Sequence, residues 1–503
     1  MKEVTRTVTF EIDQKSPVPI YHQLKLAIKK KIEAREFEPG ERIPTEQELC
    51  DRYGISRTPI RQALKELVYE GLLVRRRGLG TFVADQARTN AQLATPMRLI
   101  ATDIRWAAVI ERAAREWNEK NPDQQAALQM QLIDHDELHH ALSTAVAEGT
   151  APDMVMIDSV WIAEFANAGF LLPLDELDTD WTHNEYANDL YPAFVEANYF
   201  GGHFYGLQVE ADLSLLWYRK DWFSAERLQP PANWDELVAT AQHFARPDVR
   251  QRYGLGPYPL IFPGGQAAGE ATVYNLLPLL WSAGGTVLLN GQVNLDSKLS
   301  QEAVRFIADL VNQHAVAPPD VVNWNWEDVP RRLAHGEAAM ALGGSYESQT
   351  ILEESDWEEV EFMERIDCCL SPAAPGCEPA ATAGGMSYAI LRQSQHPELV
   401  MGILKLAADK DLIADFCRVT YQNSPRPSMR DAFTPDVSPL LSKTSRLLSA
   451  ARARPVTPEY VKVSAQLQTM FETVITKTAS VEDAVRRAAE FIGAITGLPL
   501  RTT

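Results

Sequence analysis

The chain has 503 residues, too long for one ordinary domain, and its 45% hydrophobic and 23% charged content is that of a globular protein in water. No apolar run reaches membrane-spanning length, so no membrane partner is expected. The net charge of −20 is unevenly divided: residues 1–90 carry 17 Lys and Arg against 13 Asp and Glu, a net of +4, and the remainder carries 31 against 55, a net of −24.

A basic front on an acidic body predicts one module for nucleic acid and another that repels phosphate. The start, Met1-Lys2-Glu3-Val4-Thr5-Arg6, is polar and precedes no apolar core segment, so no secretory signal is expected. The cysteines, Cys50, Cys368, Cys369, Cys377 and Cys417, are odd in number and fit no disulfide framework. Both observations predict a cytoplasmic protein.

Pro19-Ile20-Tyr21 opens an amphipathic helix, with Ile20, Leu24, Ile28 and Ile32 recurring every four residues. Glu38-Pro39-Gly40 ends it with turn chemistry. A second helix starts at Pro44-Thr45-Glu46-Gln47-Glu48-Leu49, where Thr45 and Glu48 form a T-x-x-E capping box. Gly54 stops it, and Ser56 is placed to cap a third helix. In that helix Ile60, Leu64 and Leu67 face inward, leaving Arg57, Thr58 and Arg61 outside at the N-terminal end. Helix, glycine turn and helix form a helix-turn-helix pattern whose exposed residues reach base edges in a major groove. Arginine bonds guanine bidentately, and threonine bonds a base or a phosphate. From Leu72 to Val83 apolar and basic residues alternate around Gly78 and Gly80, which predicts a two-stranded wing whose tip approaches a phosphate or the minor groove.

The runs Pro19-Ile20-Tyr21, Pro39-Gly40-Glu41-Arg42-Ile43-Pro44-Thr45-Glu46, Ser56-Arg57-Thr58-Pro59-Ile60-Arg61-Gln62-Ala63-Leu64 and Gly78-x-Gly80-Thr81-Phe82-Val83 resemble the winged helix-turn-helix of GntR-type bacterial regulators. The resemblance covers about residues 12–85. It implies operator contacts at Gln47, Ser56, Arg57, Thr58, Arg61 and Gly78, and a homodimer on a pseudo-palindromic operator. One such module makes a small footprint on its own, and a second copy enlarges it.

Residues 86–96 are polar and aperiodic and read as a linker, which bounds a DNA-binding domain at 1–85 and an effector domain at 97–503. In the latter, apolar stretches at 99–101, 128–133 and 154–157 read as strands. Helical spacing follows at 106–117, 138–147 and 160–168, and later at 234–244, 300–313 and 397–408. Strands alternating with helices predict a parallel α/β sheet, with ligands beyond the carboxyl ends of its strands. About 400 residues exceed one core, so two α/β lobes around a cleft are expected.

Ala151-Pro152-Asp153-Met154-Val155, Tyr205-Gly206-Leu207, the stretch Leu216-Trp217-Tyr218-Arg219-Lys220-Asp221-Trp222-Phe223, Pro231-Ala232-Asn233-Trp234-Asp235-Glu236-Leu237, Ala283-Gly284-Gly285 and the segment 336–344 together resemble the extracytoplasmic sugar-binding proteins of ABC importers. The resemblance spans about residues 98–497. It implies a two-lobed, hinge-closing fold of the periplasmic-binding-protein type (type II). By matched position it implies ligand contacts at Asp158, Trp161, Glu210, Asp212, Tyr274, Tyr346, Gly385 and Arg426. The last stands in Pro425-Arg426, one residue out of the family's P-x-R pattern. The chemistry is consistent, because sugar rings offer apolar faces to aromatics and hydroxyl edges to carboxylates. All 11 tryptophans lie beyond residue 90, although most fall at core positions such as Trp117, Trp222 and Trp234.

Other chemistries are weaker. Glu210 and Asp212 are an acid pair, but hydroxyl recognition explains them as well as glycoside hydrolysis does, and no catalytic residue is assigned. His135, Glu137, His139 and His140 are dense but straddle an expected strand–helix turn, and Cys368, Cys369 and Cys377 lack CxxC spacing, so no metal is expected. No phosphate-binding loop is present and no cofactor is implied. The sequence therefore predicts a multidomain regulator of operator DNA, not an enzyme. Its winged helix-turn-helix answers to a small carbohydrate effector held by the two-lobed module. The alternatives are a ligand-free module used for dimerisation or docking, and a sensor of a non-sugar solute.

Overall fold

A computed structural model describes residues 20–501, except 35, 39, 70–71, 77–79, 84–93, 103 and 437. Gly78 and residues 86–93 of the expected linker lie outside the described residues. The chain divides into two compact units, residues 1–96 with 110–128, and residues 97–109 with 129–503.

In the first unit, helices α1 (Ile20–Glu33), α2 (Glu46–Tyr53) and α3 (Arg57–Tyr69) precede strands β1 (Leu73–Arg76) and β2 (Gly80–Val83). The predicted stripe is buried: Leu24, Ile28 and Ile32 of α1 pack with Leu49 of α2 and Ile60, Leu64 and Leu67 of α3. The start of α2 is set by the capping box. Glu48 N–H donates to Thr45 Oγ1 at 3.2 Å, and Thr45 N–H donates to Glu48 Oε2 at 2.7 Å. Gly54 closes α2 at φ +64°, a left-handed conformation that suits glycine.

Strands β1 and β2 run antiparallel, Leu73 opposite Val83 and Arg76 opposite Gly80. The segment before α2 adds a third edge. Ile43 N–H donates to the Thr81 carbonyl at 3.0 Å, and Val83 N–H donates to the Glu41 carbonyl at 2.8 Å. The wing is thereby tied to the chain that leads into α2.

From Thr95 onward the chain forms two large sheets. One runs in the order Ala126–Leu132, Thr95–Ala101, Met154–Asp158, Met386–Leu391, Leu171–Leu172, with Gly206–Gln208 also on Met386–Leu391. The other runs Leu260–Ile261, Met340–Gly344, Asp212–Arg219, Ala381–Gly384, Ala451–Arg452, with Ile366–Cys369 also on Asp212–Arg219. Both sheets are mixed rather than purely parallel. Strand 154–158 pairs parallel with 95–101 but antiparallel with 386–391. The inserted antiparallel strand arrives from the other lobe, a connection that local sequence patterning does not reveal.

Two crossings join the lobes side by side. Gln208 ends a strand in the first sheet and Asp212 begins one in the second; Gly384 ends a strand in the second and Met386 begins one in the first. Asp212 pairs with Gly384, and Gln208 pairs with Ser387. The expected strands and helices are present with shifted ends. The strand expected at 128–133 is Ala126–Leu132, and the helix expected at 138–147 begins at His135. His135 and His139 therefore share one helix rather than straddling a turn, and His139 Nε2 lies 3.1 Å from Glu164 Oε1.

Candidate functional site

On the first unit, Gln47 at the second position of α2 and Ser56, Arg57, Thr58 and Arg61 around the start of α3 are all exposed. Burial of Ile60, Leu64 and Leu67 on the opposite face of α3 forces this presentation. Arg57 Nη2 donates to the Gln47 side-chain carbonyl, and Arg61 Nε lies 3.5 Å from Glu46 Oε2. Both arginines are thus steered by α2 while their forks stay in solvent. Five of the six expected DNA contacts fall on this one face; the sixth, Gly78, is among the undescribed residues.

On the second unit the site is built around the crossings. The strand that ends at Asp158 delivers that carboxylate from the first lobe. Glu210 and Asp212 lie within and just after the first crossing, 1% and 5% exposed. Glu210 Oε1 accepts the Met386 N–H at 2.5 Å, and Asp212 Oδ1 accepts the Ser345 hydroxyl at 3.1 Å. Gly385 lies between them and Met386 at φ +118°. A side chain there would meet Gln208 Nε2 at 2.6 Å and the Glu210 carbonyl at 3.0 Å, so glycine is what lets the crossings touch. Tyr274, on the helix Glu270–Ser282, packs its ring against Gly384, and its ring centroid lies 5.9 Å from that of Tyr346. Six of the eight expected ligand residues are therefore gathered at the junction: Asp158, Glu210, Asp212, Tyr274, Tyr346 and Gly385.

Two are placed differently. Trp161 meets His139 at 5.3 Å and Phe165 at 6.4 Å between ring centroids, which makes it part of the first lobe's aromatic core. Arg426 is committed to structure, with Nε on Asp189 Oδ2 at 2.9 Å and Nη1 on the Ala408 carbonyl at 2.7 Å. Its motif was one residue out of register, and the arginine braces the loop instead.

Sequence reasoning missed the residue at the centre of the site. Arg454 follows the short strand Ala451–Arg452 of the second lobe. It is 5% exposed, and it donates to Asp158 Oδ1 at 3.3 Å and to Glu270 Oε1 at 2.8 Å. Tyr460 and Ser464 also donate to Glu270, the former at 2.6 Å. The guanidinium lies 5.5 Å from the centre of the Tyr274 ring. The available signal was the stretch Ala451-Arg452-Ala453-Arg454-Pro455, two arginines among small residues, which has no periodicity to single out one of them. A narrow pocket next to Arg454 is lined by Ser159, Val160, Ala163, Ala197, Ala383, Pro455 and Val456.

Burial raises three carboxyl groups of this junction, Glu210, Asp212 and Glu347. Asp212 is pushed up to about 7 by its loss of water and, after the opposing Ser345 bond, by the Asp158 charge. Glu210 is raised by burial and by Asp212, and Glu347, 2% exposed, by burial and by Asp212. Buried carboxyl groups with raised values mark a candidate functional site. Among the described residues no group of three His, Cys, Asp and Glu side chains has the geometry of a metal site, and no helix is long and apolar enough to cross a membrane.

Comparison with known proteins agrees with this division. Residues 103–411 match the family model described as bacterial extracellular solute-binding protein, and residues 20–83 match that of bacterial regulatory proteins, gntR family. A putative binding protein of Brucella abortus is 26% identical over 248 residues, 49% of this chain and 56% of the relative. The histidine utilization repressor of Klebsiella aerogenes is 45% identical over 89 residues, 18% of this chain and 36% of the repressor. The chain thus spans only about half, or less, of the curated relatives it matches. Among solved structures, maltose-bound MalE3 of T. maritima superposes with a TM-score of 0.66 at 25% identity, covering 80% of this chain and 99% of that one.

Proposed function

The chain belongs to the bacterial extracellular solute-binding protein family and carries a gntR-family regulatory head, and from this premise we propose that it is a cytoplasmic transcriptional regulator whose operator binding is set by a small carbohydrate. The DNA contacts are Gln47, Ser56, Arg57, Thr58, Arg61 and Gly78, used twice by a homodimer. The effector contacts are Asp158, Glu210, Asp212, Tyr274, Tyr346 and Arg454, with Gly385 keeping the crossings close.

The observation that supports this reading best is the junction itself. Asp158 of one lobe and Arg454 of the other meet beside tyrosine rings and buried acceptors, the combination that suits a polyhydroxylated ring. The maltose bound by the structural relative MalE3 points to the same ligand class. Closure of the lobes on ligand shifts the head only by the ligand's differential affinity for the two states. The acidic body keeps phosphate contact confined to the head.

Thermal unfolding with a panel of mono- and oligosaccharides tests the effector claim. A saccharide at 100 times its dissociation constant adds about 2.7 kcal/mol to the stability of the second unit. Absence of a shift with every saccharide would favour a module kept for dimerisation or docking. A shift with a polyamine or another non-sugar solute alone would replace the carbohydrate.

A further inference from the structure

The junction holds more carboxyl groups than its own cations answer. Arg454 is shared between Asp158 and Glu270. Among the described residues, Glu210, Asp212 and Glu347 form no ion pair, although they are 1%, 5% and 2% exposed. Their hydrogen-bond partners are few: the Met386 N–H for Glu210, the Ser345 hydroxyl for Asp212 and the Gly344 backbone for Glu347. Oε2 of Glu210 and Oε2 of Glu347 are buried without a partner. A second, separate observation lies beside them. The Tyr274 hydroxyl, on a side chain 4% exposed, is also buried and unpartnered, and a Cβ on Gly384 would lie 3.2 Å from it and 3.3 Å from Asp212 Cβ. The phenol and the Asp212 side chain thus flank the same glycine, and the unpartnered hydroxyl can offer a lone pair as readily as a proton.

Such a set asks for donors that carry charge. A neutral sugar hydroxyl satisfies a carboxylate's lone pairs but leaves its charge buried, and uncompensated buried charge is costly. An ammonium supplies up to three donors and the missing charge together, and its bonds to carboxylate are stronger than neutral ones. The Tyr274 and Tyr346 rings lie 5.9 Å apart, and the Arg454 guanidinium already lies 5.5 Å from the centre of the Tyr274 ring, so this pair of rings sits in a setting that tolerates a cation.

We propose that the effector carries a protonated amine on a hydroxylated ring, an amino sugar or aminocyclitol, with the ammonium seated on Glu210, Asp212 and the Tyr274 hydroxyl. The inference rests on the reading of the second unit as a saccharide sensor and narrows it. The hydroxylated ring lies toward Asp158 and Arg454, and the amine lies at the crossings. The amine therefore touches the first crossing between the lobes at Glu210 and Asp212, and its charge stabilises the closed form directly. The raised Asp212 and Glu210 carboxyl groups are the same site seen without the cation: in its absence protons do part of the neutralising.

Matched ligands on the full chain test this without relying on a variant that folds. Isothermal titration compares glucosamine, glucose and N-acetylglucosamine, then the galactose series, then a chitosan disaccharide against cellobiose and maltose. The expected result is that the free-amine member of a series binds about tenfold or more tighter than its neutral and acetylated counterparts. At pH 6 its binding should release protons, read from titrations in two buffers of different ionisation heat, and Glu210→Gln or Asp212→Asn should abolish the amine preference. A neutral member that binds as tightly as its amine overturns the inference and leaves the saccharide sensor standing. So does amine binding that takes up protons. No binding by any member overturns the inference and the saccharide sensor together.

Discussion

Arg454 and Asp158 join the two lobes of the second unit: the Arg454 Nη2 donates to Asp158 Oδ1 at 3.3 Å from residues far apart in the chain. Both side chains are largely withdrawn from water, 3% and 15% exposed, and the same guanidinium holds Glu270 at 2.8 Å. Removal of the cation leaves both acids without a counter-charge. Arg454→Met should destabilise the second unit by about 3 kcal/mol or more in chemical denaturation. Asp158→Asn, which spares the Glu270 bond, should cost less and should loosen closure. Equal, small losses in both variants would show that the pair does not latch the lobes.

The recognition face predicts a different kind of loss. Arg57→Ala and Arg61→Ala should each weaken operator binding by about 1–3 kcal/mol, without change in the unfolding of the head. Both side chains are exposed and outside the head core. Fluorescence anisotropy at two salt concentrations separates base reading from phosphate contact, because a phosphate contact alone lowers the salt slope. Unchanged affinity in both variants would refute the assignment.

The capping box ties the head's stability to one hydroxyl. Thr45→Ala removes the acceptor of the Glu48 N–H and should cost about 1 kcal/mol. Thr45→Ser should be close to neutral, since serine supplies the same oxygen. A loss in the serine variant equal to that of alanine would point to the methyl group instead of the cap.

A pH dependence follows from Asp212. Its carboxyl is raised to about 7 by burial, from an ordinary value near 4. The folded state therefore binds a proton that the unfolded state has released. Stability from this group is full below about pH 4 and is lost as pH rises toward 7. Glu210 and Glu347, also raised by burial, act in the same direction. The second unit without ligand should lose stability between pH 5 and 7, and Asp212→Asn should flatten part of that slope. A slope of the opposite sign in the parent protein would contradict the assignment.

Much of the head was legible because its signals are local. A capping box, a left-handed glycine and a four-residue apolar stripe each act within a few residues, and each appears where expected at Thr45, Gly54 and Leu24 to Ile32. The second unit was legible as a fold through scattered runs that resemble a family. Its sheet order was not, because the strand Met386–Leu391 inserts beside Met154–Asp158 only after the chain has crossed lobes twice. For the same reason Arg454 escaped notice: its partners lie at Asp158 and Glu270, and no local pattern links the three. Trp161 and Arg426 also make contacts inside the first lobe that the sequence does not reveal, because position in a motif does not say which neighbours a ring or a guanidinium meets.

The central claim is that the cleft speaks to the recognition helix, and operator affinity of the intact chain measured with and without a saccharide that shifts its thermal unfolding tests it most directly. A saturating saccharide should change the operator dissociation constant by about fivefold or more, and operator should change saccharide affinity by the same factor. Identical operator binding in the presence of a saccharide that demonstrably occupies the cleft would contradict the account.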